Sequence, residues 1–192
     1  MSCAVCALPL GDGDRCGRCV LRPPSFDRTF APFCYAFPVD RLVQSYKYRG
    51  LLACAAWFAD AMVAARPALA RGAVLVAMPL APARQRERGF NQSLELARAL
   101  SRRTSIPLAI GAAARVRETR PQADLPWADR APNIRGAFAC TAAVAGRHVI
   151  VVDDVMTTGA SLEELALTLR RAGACAVDNW VVARTPAPGE PR

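Results

Sequence analysis

Lysine and histidine are nearly missing from this chain: Lys47 and His148 stand alone among 192 residues that include 24 arginines. The preference for arginine reflects a GC-rich genome, yet it leaves Lys47 chemically singular. Long apolar runs are missing too. None approaches the ~18–20 residues of a membrane span, and the longest, residues 51–65, is broken by Asp60. No membrane insertion is therefore expected. The opening MSCAVCALPLGDGDRC has no basic stretch leading into an apolar one, so no secretory signal is read there and a cytoplasmic location is expected. No long polar tract occurs, and 21% charged with 7% aromatic residues is a globular composition, which excludes a disordered chain.

The length suits one full domain with, at most, a small appendage, and a core of that size holds without disulfide staples. The eight cysteines of a cytosolic protein are accordingly read as thiols or metal ligands. Four come as Cys3-x2-Cys6 and Cys16-x2-Cys19, with nine residues between the pairs. This glycine-rich segment has too few apolar side chains to form a core. Two such knuckles supply four thiolates for a tetrahedral zinc site whose binding energy would substitute for one, so Cys3, Cys6, Cys16 and Cys19 are read as ligands of a structural zinc. A redox role needs the CxxC to open a helix after a strand, and neither pair does. Cys34, Cys54, Cys140 and Cys175 lie in apolar surroundings and are expected as core thiols.

The formal net charge of +9 is unevenly spread: +4 over residues 1–72, +6 over 84–135 and −1 over 136–192. The middle segment is thus the basic surface. Its natural partners are anions, the phosphates of a small molecule or of nucleic acid.

Pro23-Pro24 closes the knuckle (residues 1–24). A helical pattern over 39–66 dominates residues 25–72, with Gly50 separating two helices or marking a kink. Residues 73–80, AVLVAMPL, read as a buried parallel strand. ARQRERGF follows as a basic loop, and Asn91 as the N-cap of a helix to Arg103. A short strand is expected at 106–110, a long polar loop at 115–135, and a strand at 138–140. RHVIVVD (147–153) is the strongest strand. The next helix starts near Ser161 and ends at Gly173, and a last strand at 177–183 precedes the tail. Strand and helix alternate, which predicts an α/β fold with a parallel sheet over residues 73–185, flanked by helices, and a tail over 186–192.

The stretch HVIVVDDVMTTGASLEEL carries the chemistry. An apolar strand ends in Asp153 and Asp154, and a turn of small residues, Thr157, Thr158, Gly159, Ala160 and Ser161, leads into a helix. Such a turn is an anion cradle: glycine permits close backbone approach, and the helix dipole favours a phosphate there. Two carboxylates would repel a phosphate, but they suit the two hydroxyls of a ribose whose 5′-phosphate lies in the turn. The site falls at the carboxyl end of a strand, where open α/β sheets bind ligands. A capping box of Ser161 and Glu164 would account for the helix start but not for the acid pair.

VVDDVMTTGAS resembles the phosphoribosyl-pyrophosphate (PRPP) signature of the type I phosphoribosyltransferases. Together with the cysteine knuckle, KYRG (47–50 as Lys47 to Gly50), RERGFNQ (86–92), T-x-x-Q (119–122) and RAPNIRGAF (130–138), it makes the chain similar to the ComF family, over nearly its whole length. That family is phosphoribosyltransferase-like and is associated with DNA uptake and natural competence, which implies a helicase-type partner; the basic middle segment and the knuckle suit contact with single-stranded DNA. The resemblance implies a type I phosphoribosyltransferase-like sheet. It also implies that Asp153 and Asp154 hold the ribose hydroxyls, steady charge at the anomeric carbon or act as a base, while residues 157–161 hold the 5′-phosphate. A pyrophosphate or substrate loop would comprise Pro79, Leu80, Arg84, Arg86, Arg88, Gly89, Asn91 and Gln92. The 115–135 segment would be a flexible hood bearing Arg115, Arg117, Thr119, Gln122, Arg130 and Asn133. Mg²⁺ would accompany PRPP. Lys47 either reaches the site or ends a helix in solvent, and His148 reads as structural. Two roles stay open: transfer of a 5-phosphoribosyl group with release of pyrophosphate, or PRPP sensing and single-stranded-DNA binding without catalysis.

Overall fold

The computed structural model describes residues 1–65, 72–118 and 130–187. The cysteine segment folds around a short helix, α1 (Gly17–Leu21), which buries Cys19. Two short strands follow, β1 (Arg28–Phe30) and β2 (Phe33–Cys34). Pro32 lies between them, and an edge position tolerates its missing N–H. Next come α2 (Val39–Arg49), stopped by Gly50 at φ 63°, and α3 (Ala53–Ala64). The central chain forms β3 (Val74–Ala77), α4 (Pro82–Arg88), α5 (Gln92–Thr104) and β4 (Ala113–Arg115). It continues through α6 (Arg130–Ile134), β5 (Phe138–Cys140), β6 (His148–Met156), α7 (Ala160–Arg171) and β7 (Ala176–Arg184).

The main sheet is parallel, in the order β1-β7-β6-β3, with β2 continuing the β1 edge along β7. β4 and β5 form a separate antiparallel ribbon. Both faces of the sheet are covered, which is why 149–152 of β6 and 180–183 of β7 read as apolar runs without alternation. Val149 and Val151 of β6 pack with Leu162, Leu165 and Leu169 of α7. Ile150 and Val152 point the other way, into a layer with Phe58 and Met62 of α3 and Leu96 and Leu100 of α5. Each such side chain contributes about 1.5–3 kcal/mol by leaving water. Asp60, the interruption in the longest apolar run, faces outward and pairs with Arg103 of α5. This is the α/β architecture expected, a parallel sheet between helices with the cysteine segment at its N-terminal end.

Several local expectations change. The basic stretch after β3 is a helix, α4, not a loop: Pro82 takes its first turn, where a missing N–H costs nothing, and Gly89 at φ 77° ends it. The strand expected at 106–110 is reduced to one bridge between Leu108 and Leu75. The long segment after Arg115 ends in α6 by Arg130. β6 runs on to Met156, so the acid pair lies within the strand. None of the four remaining cysteines is fully buried: Cys34 and Cys175 are exposed, and Cys54 and Cys140 half-buried. Apolar neighbours in sequence do not bury a side chain that sits at a strand end, in a turn or in the first turn of a helix.

Candidate functional site

β6 leaves the core carrying Asp153 and Asp154, and the chain then turns through Thr157 and Thr158 into α7. Gly159 sits in this turn at φ 82°, and a Cβ added there would lie 2.6 Å from Cε of Met156. Backbone and space both require glycine. The Thr158 hydroxyl accepts the Ala160 N–H at 3.1 Å, which tightens the turn. Gly159, Ala160, Ser161 and Leu162, the start of α7, line a cleft of ≈ 470 Å³ together with Asp153, Thr157, Thr158 and Lys47. That volume falls in the ~300–1,000 Å³ range of small-molecule sites, and a helix N-terminus in its wall favours an anion. The helix begins at Gly159 and no capping box forms. Glu163 instead accepts the backbone N–H (2.8 Å) and hydroxyl (2.7 Å) of Ser25, and Glu164 accepts the N–H of Gly136 at 2.7 Å.

The two acids are held differently. Asp154 is 3% exposed. Its Oδ1 lies 2.9 Å from Lys47 Nζ, while its Oδ2 is buried without a hydrogen-bond partner. Asp153 lines the cleft, and its Oδ1 accepts the Ser93 hydroxyl at 2.8 Å and the Asp154 N–H at 2.9 Å. Burial, and then the neighbouring Asp154 charge, push the Asp153 carboxyl up to about 7, against the opposing pull of Lys47 and Ser93. For Lys47, burial disfavours the ammonium, but the Asp154 and Asp153 carboxylates outweigh it and raise its pKa. The site thus joins a compensated carboxylate, a carboxyl that titrates near neutrality and an anion cradle. Lys47, at the end of α2, is therefore inside the site and not in solvent.

The four cysteine sulfurs of the N-terminal segment lie within 4.8 Å of one another, with Cys6 and Cys16 3.6 Å apart. Tetrahedral zinc with ~2.3 Å bonds to sulfur places its ligands ~3.8 Å apart, so the donor set and spacing fit such an ion. Burial raises the pKa of the Cys6 and Cys19 thiols. Burial acts on Cys3 as well, but the N–H groups of Cys16, Cys6 and Val5 more than offset it and bring this thiol down to about 7.

The other expected site residues separate into groups. Pro79, Leu80, Asn91 and Arg115 line a second hollow of ≈ 290 Å³ beside the end of β3. Asn91 caps α5, accepting the N–H groups of Ser93 and Leu94 at 2.9 and 3.2 Å and donating to the Met78 carbonyl at 3.1 Å. Arg88 lies over the Tyr48 ring, 5.0 Å from its centroid, and donates to Gln92 Oε1 at 3.1 Å, which brings it to the rim of the first cleft. Arg84 pairs with Glu87 at 2.8 Å, and Arg86 and Gly89 are exposed at the outer face of α4. Arg115 lies over the Phe138 ring at 5.8 Å. Arg117 donates to the carbonyls of Asn133 and Arg135, bracing α6. Thr119 and Gln122 lie outside the described residues, as does the side chain of Arg130.

The sequence offered no reading of Ser93, Arg18 or Arg184. Ser93 was legible only as a small polar residue on the buried face of α5. Arg184 closes the apolar run 180–183 of β7, a signal that marks it as unusual without naming its partners. His148, whose Nε2 lies 2.9 Å from the buried Asp178, sits at the start of β6, away from the cleft.

Residues 91–192 match the phosphoribosyl transferase domain family. The chain is 36% identical over 190 residues to the DNA utilization protein YhgH of Escherichia coli K12, covering 95% of this chain and 84% of that one. It is 32% identical over 178 residues to Competence protein F of Haemophilus influenzae Rd, covering 88% and 78% respectively. A solved structure of the allosteric regulatory enzyme of purine biosynthesis shares 22% identity at a TM-score of 0.42, over 66% of this chain and 25% of that one. Among the described residues, no helix is long and apolar enough to cross a membrane.

Proposed function

Because the chain belongs to the phosphoribosyl transferase domain family, as a ComF-like member, we propose that its cleft binds PRPP and transfers the 5-phosphoribosyl group to an acceptor. The observation that carries this reading is one cleft lined by the α7 N-terminus with its glycine turn, by Asp153 and by Lys47, which compensates the buried Asp154. Residues 157–161 would receive the 5′-phosphate through backbone N–H groups, hydroxyls and the helix dipole. The carboxylates would accept hydrogen bonds from the ribose 2′- and 3′-hydroxyls. Of the two, Asp153 lines the cleft; Asp154 is 3% exposed, and its unpartnered Oδ2 would meet a hydroxyl only once its side chain turned outward.

In the transfer, the bond from the anomeric carbon to the pyrophosphate oxygen breaks and pyrophosphate leaves with the electron pair. A bond from that carbon to the acceptor forms, and the acceptor loses its proton. Asp153, with a carboxyl that titrates near neutrality, suits the role of proton acceptor or of counter-charge to the electron-poor carbon. The remaining contribution is positioning: ribose and phosphate fixed by separate elements. Mg²⁺, bound by the oxygens of PRPP, would supply charge neutralisation of the pyrophosphate. Arg88, at the rim beside Tyr48, is a guanidinium candidate for a pyrophosphate contact.

A second reading is favoured by the names of the relatives and by the arginine-stacked, 64% exposed Tyr48 at the cleft mouth. Here the fold senses PRPP while a basic, aromatic surface binds single-stranded DNA without chemistry. Pyrophosphate release from PRPP, assayed with free bases and with single-stranded DNA, separates the two. Transfer predicts turnover abolished by Asp154→Asn. The catalytic reading fails if no acceptor supports turnover while salt-sensitive DNA binding survives loss of both acids.

A further inference from the structure

Arg184, the last residue of β7, is 2% exposed and yet charged. Its Nε donates to the Cys6 carbonyl at 2.9 Å, inside the cysteine cluster. Its Nη1 donates to the carbonyls of Met156 (2.9 Å), Thr157 and Thr185. A second arginine repeats the pattern: Arg18, on α1 between Cys16 and Cys19, donates to the Thr158 carbonyl at 2.9 Å. Three consecutive carbonyls of the glycine turn are therefore held from the cysteine side. In a planar trans peptide the N–H points opposite to the C=O before it, so these contacts turn the N–H groups of Thr158 and Gly159 the other way, toward the cleft.

Charge adds a second argument. Among the described residues no carboxylate pairs with Arg184, and a buried guanidinium held only by carbonyls is costly. The cysteine cluster supplies most of the missing counter-charge when loaded: four thiolates around one divalent zinc ion sum to −2, more negative than the unloaded thiols.

We propose that Arg184, assisted by Arg18, is a positioning residue through which metal loading of the four-cysteine centre sets the geometry of the phosphate-binding turn. Loss of the metal removes the fixed Cys6 carbonyl and most of the counter-charge, the guanidinium loosens, and the turn carbonyls lose their donors. Linkage makes the coupling reciprocal: a ligand bound through the turn tightens metal binding by the same factor that metal tightens the ligand. The ligand half of this statement rests on the reading of the turn as a phosphate site; the coupling of metal to turn does not.

The experiment is hydrogen–deuterium exchange on the full chain, zinc-loaded and after chelation, followed at the amides of Ala160 and Glu163, which donate to the Thr158 hydroxyl and the Gly159 carbonyl of the turn. Chelation should speed exchange there at least about fivefold, the low end of measured couplings, while the centre of β6 stays protected. Arg18→Ala, an exposed residue whose loss spares the core, should speed the same amides in the zinc-loaded protein. Turn exchange unchanged by chelation with β6 still protected overturns the proposal. Should chelation unfold the sheet, unchanged turn exchange in zinc-loaded Arg18→Ala overturns it instead. Zinc affinity is then measured by chelator competition with and without PRPP. The wild type should bind zinc at least about fivefold more tightly with PRPP, and Arg184→Lys should bring that factor toward one. PRPP that binds without changing zinc affinity also overturns the proposal. A wild type that binds no PRPP refutes the phosphate reading alone, and the exchange comparison still decides the coupling.

Discussion

Replacing Asp153 with Asn should stabilise the ligand-free protein, and by more as the pH rises. The carboxyl of Asp153 is raised from its ordinary 3.8 to about 7 by burial and by Asp154. A group raised in the folded state holds a proton that the unfolded chain has released. Its contribution to stability is thus intact below pH ~4 and is lost as the pH climbs toward 7. A shift of about three units corresponds to ~4 kcal/mol at full ionisation, of which about 2.5 kcal/mol is lost between pH 5 and pH 8. The cleft is open to water, and screening brings the expected range to roughly 1–2.5 kcal/mol, or roughly 2–10 °C in Tm for a chain of this length. Asparagine keeps an oxygen to accept the Ser93 hydroxyl, so the local geometry survives. Thermal unfolding of both proteins from pH 5 to pH 8 is the assay. A stability gap that stays flat, or shrinks as the pH rises, refutes the burial of a reluctant charge at this position.

Lys47→Met removes the cation 2.9 Å from Asp154. It should cost roughly 2–4 kcal/mol at pH 8, near the range for breaking a buried pair, and adding Asp154→Asn should recover most of that in urea unfolding. Gly159→Ala puts a side chain at φ 82° and into Met156. It should cost about 1–2 kcal/mol of stability and weaken PRPP by roughly tenfold or more, one charged hydrogen bond's worth; unaltered affinity by calorimetry would detach the turn from binding. Asn91→Ala removes the α5 cap and the tether to Met78, which should lower stability by about 1–2 kcal/mol in urea titration.

The parts of the fold and site that sequence exposes are those with local causes. β6 and α7 announce themselves through apolar run and period, α5 through its asparagine cap, and the turn through glycine between hydroxyl residues. The cysteine centre follows from two spacings. What stayed hidden depends on distant partners. β1 and β2 span three and two residues and exist because β7, some 150 positions later, offers them an edge. α4 hides because its charged surface lacks a buried face to set a period. Lys47 was visible as the single lysine, but only the docking of α2 beside β6 reveals that it neutralises Asp154. Arg184 stands out in sequence as a charge at the end of an apolar run, but its role stayed hidden, because its partners are carbonyls, which carry no sequence identity.

The central claim is that the cleft at the start of α7 binds PRPP through the turn and the acid pair. Calorimetric titration of the full, zinc-loaded chain with PRPP and Mg²⁺ tests it most directly. The account predicts saturable one-to-one binding that is competed by ribose 5-phosphate and lost in Gly159→Ala combined with Asp154→Asn. Absence of PRPP binding, or binding that survives both changes, would contradict it.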